Sequence, residues 1–349
     1  MHGIQLAELP EVAEFLVGQI NGRPATTEEA AWTRDQLRHL TLDNPAVQPD
    51  VPPGWLVRDQ KGAIVGAMMC CAYPLNVGER RVVGLLSHRF YVDASARGAG
   101  VGIFMSFAAL GRRFPLFCNT AGGLSVDLWK RFKAYQINDQ DHEMLGSLRP
   151  SGLVEELVMR RTRLAPLARA AGMVAMLVPG AISGFRARAA GGALDVVSNP
   201  AQAASLVPHA PEGIVTGARD EASLRWRYFI GPAAGSMQVL AYSHKGGRAL
   251  VVVDSSRRGH RSQIRSLTVA DIRGTLGAGG LVALASTLAA KHKGLIDVIT
   301  FRGLGPCQQH DLAAAGFRHR LLPAPTAWCI DKPNLLGTTA WGLVPGDNE

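Results

Sequence analysis

A glycine-rich segment, Arg97-Gly98-Ala99-Gly100-Val101-Gly102, stands between a strand-like run at 85–92 and a stretch at 101–112 with helical apolar spacing. Strand, glycine loop and helix in that order restrict the fold strongly. The glycines tolerate positive φ and let a ligand approach the backbone. The helix that follows offers free N–H groups and the positive end of its dipole, both suited to an anion. Arg97 adds a cation. Together these features predict a pyrophosphate cradle on Arg97, Gly98, Ala99, Gly100, Val101 and Gly102. Dinucleotide-binding folds and P-loops use related units, but neither G-x-G-x-x-G nor G-x-x-x-x-G-K-[ST] occurs in the chain.

The flanking pattern is that of an α/β chain. Residues 8–20 and 27–40 read as helices, 55–58 and 63–73 as strands joined by a hairpin at Lys61-Gly62, and 81–92 as a third strand. Beyond the loop, 115–119 reads as a short strand and 125–134 as a helix with Ser125 as its N-cap. The same order then recurs. The words beginning Leu37-Arg38-His39 and Leu224-Arg225-Trp226 align at an offset of 187. Lys61-Gly62 aligns with Lys245-Gly246 at 184, and Lys133-Ala134 with Gly316-Phe317 at 183. Three matches in one order and in matching contexts indicate a tandem duplication. At roughly 150 residues per domain, 349 residues hold two. The expected layout is a first domain at 1–150, a helical connector at 151–211 and a second domain at 212–349. Within the connector, Arg163, Arg169, Arg186 and Arg188 flank Met173, Val174, Met176, Leu177 and Val178. That pattern leaves peripheral membrane contact open as the alternative role of the segment.

Hydrophobic residues make up 47% of the chain and charged residues 19%, which supplies a large core and excludes wholesale disorder. A net charge of +9 predicts attraction to anions such as CoA phosphates, nucleotide-sugars or a lipid surface. No basic stripe is interleaved with stacking aromatics, so nucleic acid is not an expected partner. The five cysteines contain an adjacent pair, Cys70-Cys71, and no C-x-x-C, which argues for reduced thiols in the cytoplasm and against a disulfide framework or a zinc site. No signal peptide or spanning apolar segment is evident. The cluster Asp139, Asp141, His142 and Glu143 reads as a solvated turn, and no metal is expected. Oligomeric state is left open by the sequence.

Arg-x-x-Gly-x-Gly at 97–102, after a strand ending Phe90-Tyr91-Val92-Asp93, resembles the acyl-CoA signature of the GNAT N-acetyltransferase superfamily. The order of elements over 7–146 agrees with it. The resemblance implies a tandem GNAT fold of the α/β (α+β) class, with two mixed, mostly antiparallel sheets flanked by helices. It also implies acetyl-CoA, or another acyl-CoA, as co-substrate. The amides of residues 97–102 would hold the pyrophosphate, and the backbone of Tyr91 and Val92 at the splayed strand end would meet the thioester carbonyl. The equivalent segment of the second half, 271–280, is glycine-rich but lacks the signature, so one working CoA site is expected. Words at 224–228 and 341–347 are similar to tandem-GNAT proteins associated with bacterial exopolysaccharide biosynthesis, which implies a small-molecule amine acceptor of the amino-sugar kind.

Acyl transfer to a primary amine needs a neutral amine and a proton returned to the thiolate. His88, on the strand before the loop, matches a base histidine of arylalkylamine acetyltransferases, and an ordinary histidine pKa near 6.5 suits that task. Alternation places His88 on one face with Leu86 and Phe90, and Ser87, Arg89 and Tyr91 on the other. Where many GNAT enzymes carry a tyrosine acid, this chain has Trp129, a candidate wall of the acceptor pocket, with Tyr135 nearby. Arg89, Arg225 and Arg227 are further candidate acceptor contacts, and Asp347 a candidate amine contact. The alternatives are an aminoacyl-tRNA-dependent transferase and a non-catalytic acyl-CoA-binding protein.

Overall fold

The computed structural model describes residues 1–122, 124–137, 142–177, 185, 191–258, 264–277, 279–321, 326–337 and 340–342. Asp139, Asp141, Val178, Arg186, Arg188 and Asp347 lie outside these residues.

The first repeat opens with a short strand β1 (His2–Gly3) and two helices, α1 (Leu9–Asn21) and α2 (Thr27–Thr41). Pro10 starts α1 without sacrificing a needed donor, and Leu9, Val12, Ala13, Leu16 and Val17 form its buried stripe. Thr26 and Glu29 close a capping box on α2. Strands β2 (Gly54–Arg58), β3 (Ile64–Val77) and β4 (Arg80–Val92) follow as an antiparallel meander. Helix α3 (Arg97–Ala109) crosses over to β5 (Leu116–Ala121), which runs parallel to β4. Helix α4 (Leu124–Arg131) and strands β6 (Tyr135–Gln136) and β7 (His142–Ser147) complete the repeat. Ser125 lies within α4, and its Oγ accepts from the Gly122 N–H, so it does not take the expected N-cap position.

The connecting stretch holds α5 (Pro150–Thr162), α6 (Ala165–Leu177), strand β8 (Ala193–Val196) and α7 (Pro200–Ser205). Helix α6 exposes Leu167, Met173 and Val174. Among the described residues no helix is long and apolar enough to cross a membrane. The second repeat then runs β9 (Val215–Gly217), α8 (Glu221–Leu224) and a π-helical turn at Arg225–Phe229. Strands β10 (Met237–His244), β11 (Gly247–Arg258) and β12 (Ile264–Thr275) precede α9 (Gly280–Lys291), β13 (Val298–Arg302), α10 (Pro306–Ala314), β14 (Arg318–Leu321) and β15 (Thr326–Ile330).

These strands form two mixed sheets flanked by helices. The first has the order β1-β2-β3-β4-β5-β15-β6, with β9 added at the far end of β3. The second has the order β14-β7-β13-β12-β11-β10-β8. The repeats have thus exchanged a strand: β7 lies between β13 and β14, and β15 lies between β5 and β6. The two strands begin at residues 142 and 326, an offset of 184 that falls within the offsets of the sequence repeat. The spans 1–150, 151–211 and 212–349 therefore describe chain order and not sheet membership. A second reciprocal contact marks the same pseudo-symmetry. His39 and Trp226, aligned in the repeat, bond each other twice: His39 Nε2 donates to the Trp226 carbonyl at 2.8 Å, and Trp226 Nε1 to the His39 carbonyl at 3.2 Å.

The second sheet also carries a buried ionic cluster. Asp271, 1% exposed, accepts from Arg219 Nε at 2.5 Å, Tyr228 Oη at 2.8 Å and Arg273 Nε at 3.0 Å. Removing one member of a buried, hydrogen-bonded ion pair typically costs about 3–5 kcal/mol. Asp271→Ala should lower unfolding free energy by about that amount, read as a lowered denaturant midpoint with an unchanged m-value. A loss under about 1 kcal/mol would show that the cluster contributes little net stability.

Candidate functional site

Strands β4 and β5 pair only at Leu85↔Leu116 and Leu86↔Phe117. Beyond that point β4 continues to Val92 and β5 to Ala121 without pairing to each other, and the gap between them opens a cavity of about 720 Å³. Its volume falls in the range of small-molecule sites. Ser87, His88, Arg89, Phe90, Tyr91 and Val92 form one wall, Cys118 and Ala121 the other. Arg97, Gly100 and Val101 close the end at α3, while Trp129 and Arg131 reach it from α4. The second sheet is zipped where the first is open. There β12 and β13 pair over four positions, Ser266↔Val298 to Val269↔Phe301, and Thr300 Oγ1 donates to Thr268 Oγ1 at 3.1 Å across the seam.

The glycine-rich segment differs from the sequence expectation in one respect. Helix α3 begins at Arg97, so residues 97–102 are its first turns, and none of Gly98, Gly100 or Gly102 has a positive φ. The glycines serve clearance instead. A Cβ on Gly98 would meet nothing within 4 Å, whereas one on Gly100 would stand 3.2 Å from Val92 Cγ2 and 3.5 Å from Phe90 Cζ. Gly100 thus lets α3 sit close on β4, and Gly98 leaves its surroundings bare. The N-cap is Ala96, whose side chain cannot cap the helix, so no N-cap side chain occupies the first N–H groups of α3. Asp93 holds the approach to the helix by accepting from the Ser95 N–H and hydroxyl. Buried Ile103, Phe104, Phe107 and Ala108 continue the stripe that begins at Gly100 and anchor the helix.

A β-bulge interrupts β4. The register steps from Met69↔His88 to Ala67↔Tyr91, and Arg89 inside the step has φ 50°. The bulge changes the faces that simple alternation assigns. Phe90 and Val92 pack with the α3-side core, while Tyr91 packs with the cluster of Leu9, Leu16 and Leu37 from α1 and α2. His88 and Phe90 therefore do not share a face. His88 is 8% exposed and lines the cavity, and among the described residues its Nε2 has no hydrogen-bond partner. Burial, with Arg89 adding to it, pulls its pKa down to about 3, far from the ordinary value. Arg89 lines the cavity as well, and its Nη2 donates to Gln36 Oε1 on α2 at 3.0 Å.

Trp129 is 1% exposed and meets Phe104 edge-on at 5.1 Å and Phe107 at 6.0 Å, so it is a core residue whose edge forms cavity wall. Tyr135 does not line the cavity; its hydroxyl accepts from Trp341 Nε1 at 3.4 Å, and burial raises its pKa. Arg225 and Arg227 also lie away from the cavity. Arg225 is exposed and pairs with Glu221 at 3.7 Å. Arg227 is buried, with its guanidinium 4.4 Å from the Tyr73 ring centre and 5.7 Å from that of Trp226, where it packs the repeats together. Sequence reasoning passed over Arg131, Gln19 and Cys118, which all line the cavity. Arg131 could have been flagged from its place two residues after Trp129; Gln19 and Cys118 reach the site only through tertiary packing.

Two mixed sheets, a splayed parallel pair, and a helix N-terminus at the splay are the GNAT fold, and solved structures of that fold superpose on this chain. A conserved protein of unknown function from Enterococcus faecalis V583, described as a probable N-acyltransferase, gives a TM-score of 0.55 at 11% identity over 94% of this chain and 70% of its own. A GCN5-related N-acetyltransferase from Anabaena variabilis gives 0.51 at 12% identity, over 95% and 72%. Saccharomyces cerevisiae N-myristoyltransferase with bound myristoyl-CoA gives 0.51 at 11% identity, over 95% and 77%. Identities this low establish likeness of fold. No protein-family model matches the chain, and no curated protein matches it in sequence.

Proposed function

We propose that the protein is an acyl-CoA-dependent N-acyltransferase that moves an acetyl or other acyl group to a primary amine. One observation carries this reading: the splay between β4 and β5 opens a ligand-sized cavity directly onto the uncapped N-terminus of α3. The site fits the donor. Bare first-turn amides, the empty space at Gly98 and the cations Arg97 and Arg131 suit a diphosphate. Among the described residues, the edge of β4 that faces β5 has no strand partner beyond Leu86, which frees backbone groups near Tyr91 and Val92 for a carbonyl oxygen. The zipped seam of the second sheet supports a single working site.

When bound, acyl-CoA supplies an acyl thioester activated for attack by an amine. The amine nitrogen forms the C–N bond as the C–S bond breaks, and the departing sulfur takes up the proton that the amine loses. Residues 97–102 orient the donor from its phosphates, and His88 Nε2 accepts a hydrogen bond from the amine. An imidazole that stays neutral down to about pH 3 positions a free amine but does not strip a proton from an ammonium. The rate should then follow the fraction of free amine. We expect kcat/KM to rise with pH up to the pKa of the amine itself, with no inflection near the ordinary histidine value. The measurement is thiol release from acetyl-CoA across a panel of amines that includes amino sugars, with and without RNase. Activity that RNase removes would favour an aminoacyl-tRNA-dependent reaction. CoA binding without turnover of any amine would favour a non-catalytic acyl-CoA-binding protein, the reading that the position of Tyr135 outside the cavity supports.

A further inference from the structure

Arg89 occupies a part of the cavity that the acyl donor does not explain. Its φ of 50° is rare for a residue other than glycine, asparagine or aspartate, and such strain gathers at functional positions. The bulge turns its side chain to α2, where Nη2 bonds the buried Gln36 amide oxygen. The α3 N-terminus lies on the other side of β4, against Phe90 and Val92. Arg89 is thus separated from the diphosphate cradle and stands on the acceptor side. Among the described residues no carboxylate pairs with it. Beside it, His88 Nε2 is buried, unpartnered and part of the cavity wall. Among the described residues, the charged ones that line the cavity are Arg89, Arg97, Arg131 and one exposed carboxylate, Asp127. Half-buried guanidinium with most of its five donors unused calls for an anion, and its planar fork matches an oxyanion in two-point contact.

We propose that the amine acceptor carries its own anionic group, a carboxylate or a phosphate, and that Arg89 receives it from the β4 bulge. This deepens the acyltransferase reading of the same cavity and rests on it. A polycationic acceptor would bring like charge against Arg89 with no carboxylate among the described residues of that wall to offset it, and an uncharged amine would leave the guanidinium desolvated with no anion. Arg89 acts here as a positioning residue: it holds the substrate's anion so that the amine reaches His88 Nε2.

The test compares amines that differ in the anionic group: β-alanine against propylamine, and phosphoethanolamine against ethanolamine, with acetyl-CoA as donor. The wild-type protein should favour at least one anionic member by about 10- to 100-fold in kcat/KM, and which pair shows the preference separates carboxylate from phosphate. Arg89→Asn, chosen because asparagine tolerates the same φ, should raise KM for that amine by a similar factor and bring the ratio close to one. Arg89→Lys should restore part of the preference. Equal use of both members of each pair by the wild type, or an unchanged ratio in Arg89→Asn, overturns the proposal. CoA affinity is titrated first, so a failure of the acyl-CoA reading shows there by itself. If no amine turns over, calorimetry of β-alanine and phosphoethanolamine with the protein, free and CoA-saturated, decides for Arg89. Binding that Arg89→Asn removes supports the proposal, and no binding, or binding that Arg89→Asn leaves unchanged, overturns it. Melting temperatures of the variants confirm that each is folded.

Discussion

Gly98→Asp is expected to abolish acyl-CoA binding while making the protein slightly more stable. The two effects have separate causes, which makes their combination informative. Gly98 lies in the first turn of α3, is exposed, has no positive φ, and a Cβ there meets nothing within 4 Å. The fold therefore does not need glycine at this position. Replacing it with alanine removes about 0.5–1 kcal/mol of backbone entropy cost; aspartate, a weaker helix former, keeps part of that gain, and an acidic side chain in a first turn adds about 0.3–1 kcal/mol through the helix dipole. The same carboxylate would stand where the diphosphate is proposed to bind, and opposed like charges cost several kcal/mol, or more than about 100-fold in affinity. Gly98→Ala separates shape from charge: it should share the gain in stability and lose affinity only by the volume of one methyl group. Calorimetric titration with CoA and thermal melting read both quantities. An aspartate variant that binds CoA as the wild type does would remove α3 as the phosphate site, whatever its stability.

The local layout of this candidate site was legible in the sequence because it depends on neighbours along the chain. Strand, arginine, spaced glycines and helix occur within 85–112, and the structure places Tyr91, Val92, Arg97, Gly100 and Val101 on one cavity together with His88 and Arg89, while Gly98, Ala99 and Gly102 do not line it. The duplication was legible for the same reason, since three short words recur at nearly constant offset. The bulge was not. Arg89 carries no side-chain signature of a left-handed conformation, and one extra residue in β4 moves Phe90 and Tyr91 to faces opposite to those that alternation assigns. The shift of His88 from an ordinary base to one held neutral follows from burial, which the local pattern does not quantify. Charge alone marks Arg225 and Arg227 as acceptor contacts, yet the neighbouring Tyr73 and Trp226 draw Arg227 into the contact between repeats. The strand exchange left no local trace either: β7 and β15 are both short strands at equivalent places in their repeats, and which sheet each joins is decided by contacts far away in sequence.

That exchange carries the other large expected effect: residues 1–150 expressed alone should fail to fold, although they contain the whole proposed CoA site. The first sheet is incomplete without β15, whose Trp328 and Ile330 enter one core while Ala327 and Cys329 enter the other, each no more than 7% exposed. Burial of Trp328 and Ile330 alone contributes about 1.5–3 kcal/mol each, and β5 and β6 would also lose the strand that joins them. Set against a typical stability of about 5–15 kcal/mol, the loss is decisive. The fragment's own β7 cannot stand in for β15. At the repeat offset Glu143 would fall at the place of Ala327, and its carboxylate, fully buried and bonded by Arg302 at 3.0 and 3.1 Å in the second sheet, would enter an apolar core without that arginine. Gly146 would fall at the place of Ile330 and leave a void; it is glycine because a Cβ there would approach Phe317 to 2.6 Å in the second sheet. Each exchanged strand is thus shaped for the other repeat's sheet. Replacing 142–146 in the fragment with the Thr326–Ile330 sequence should restore cooperative melting and dispersed amide resonances, and the full chain should unfold in one transition. Cooperative melting of the unmodified 1–150 fragment would mean that β7 can complete its own repeat and that the exchange is not required for folding.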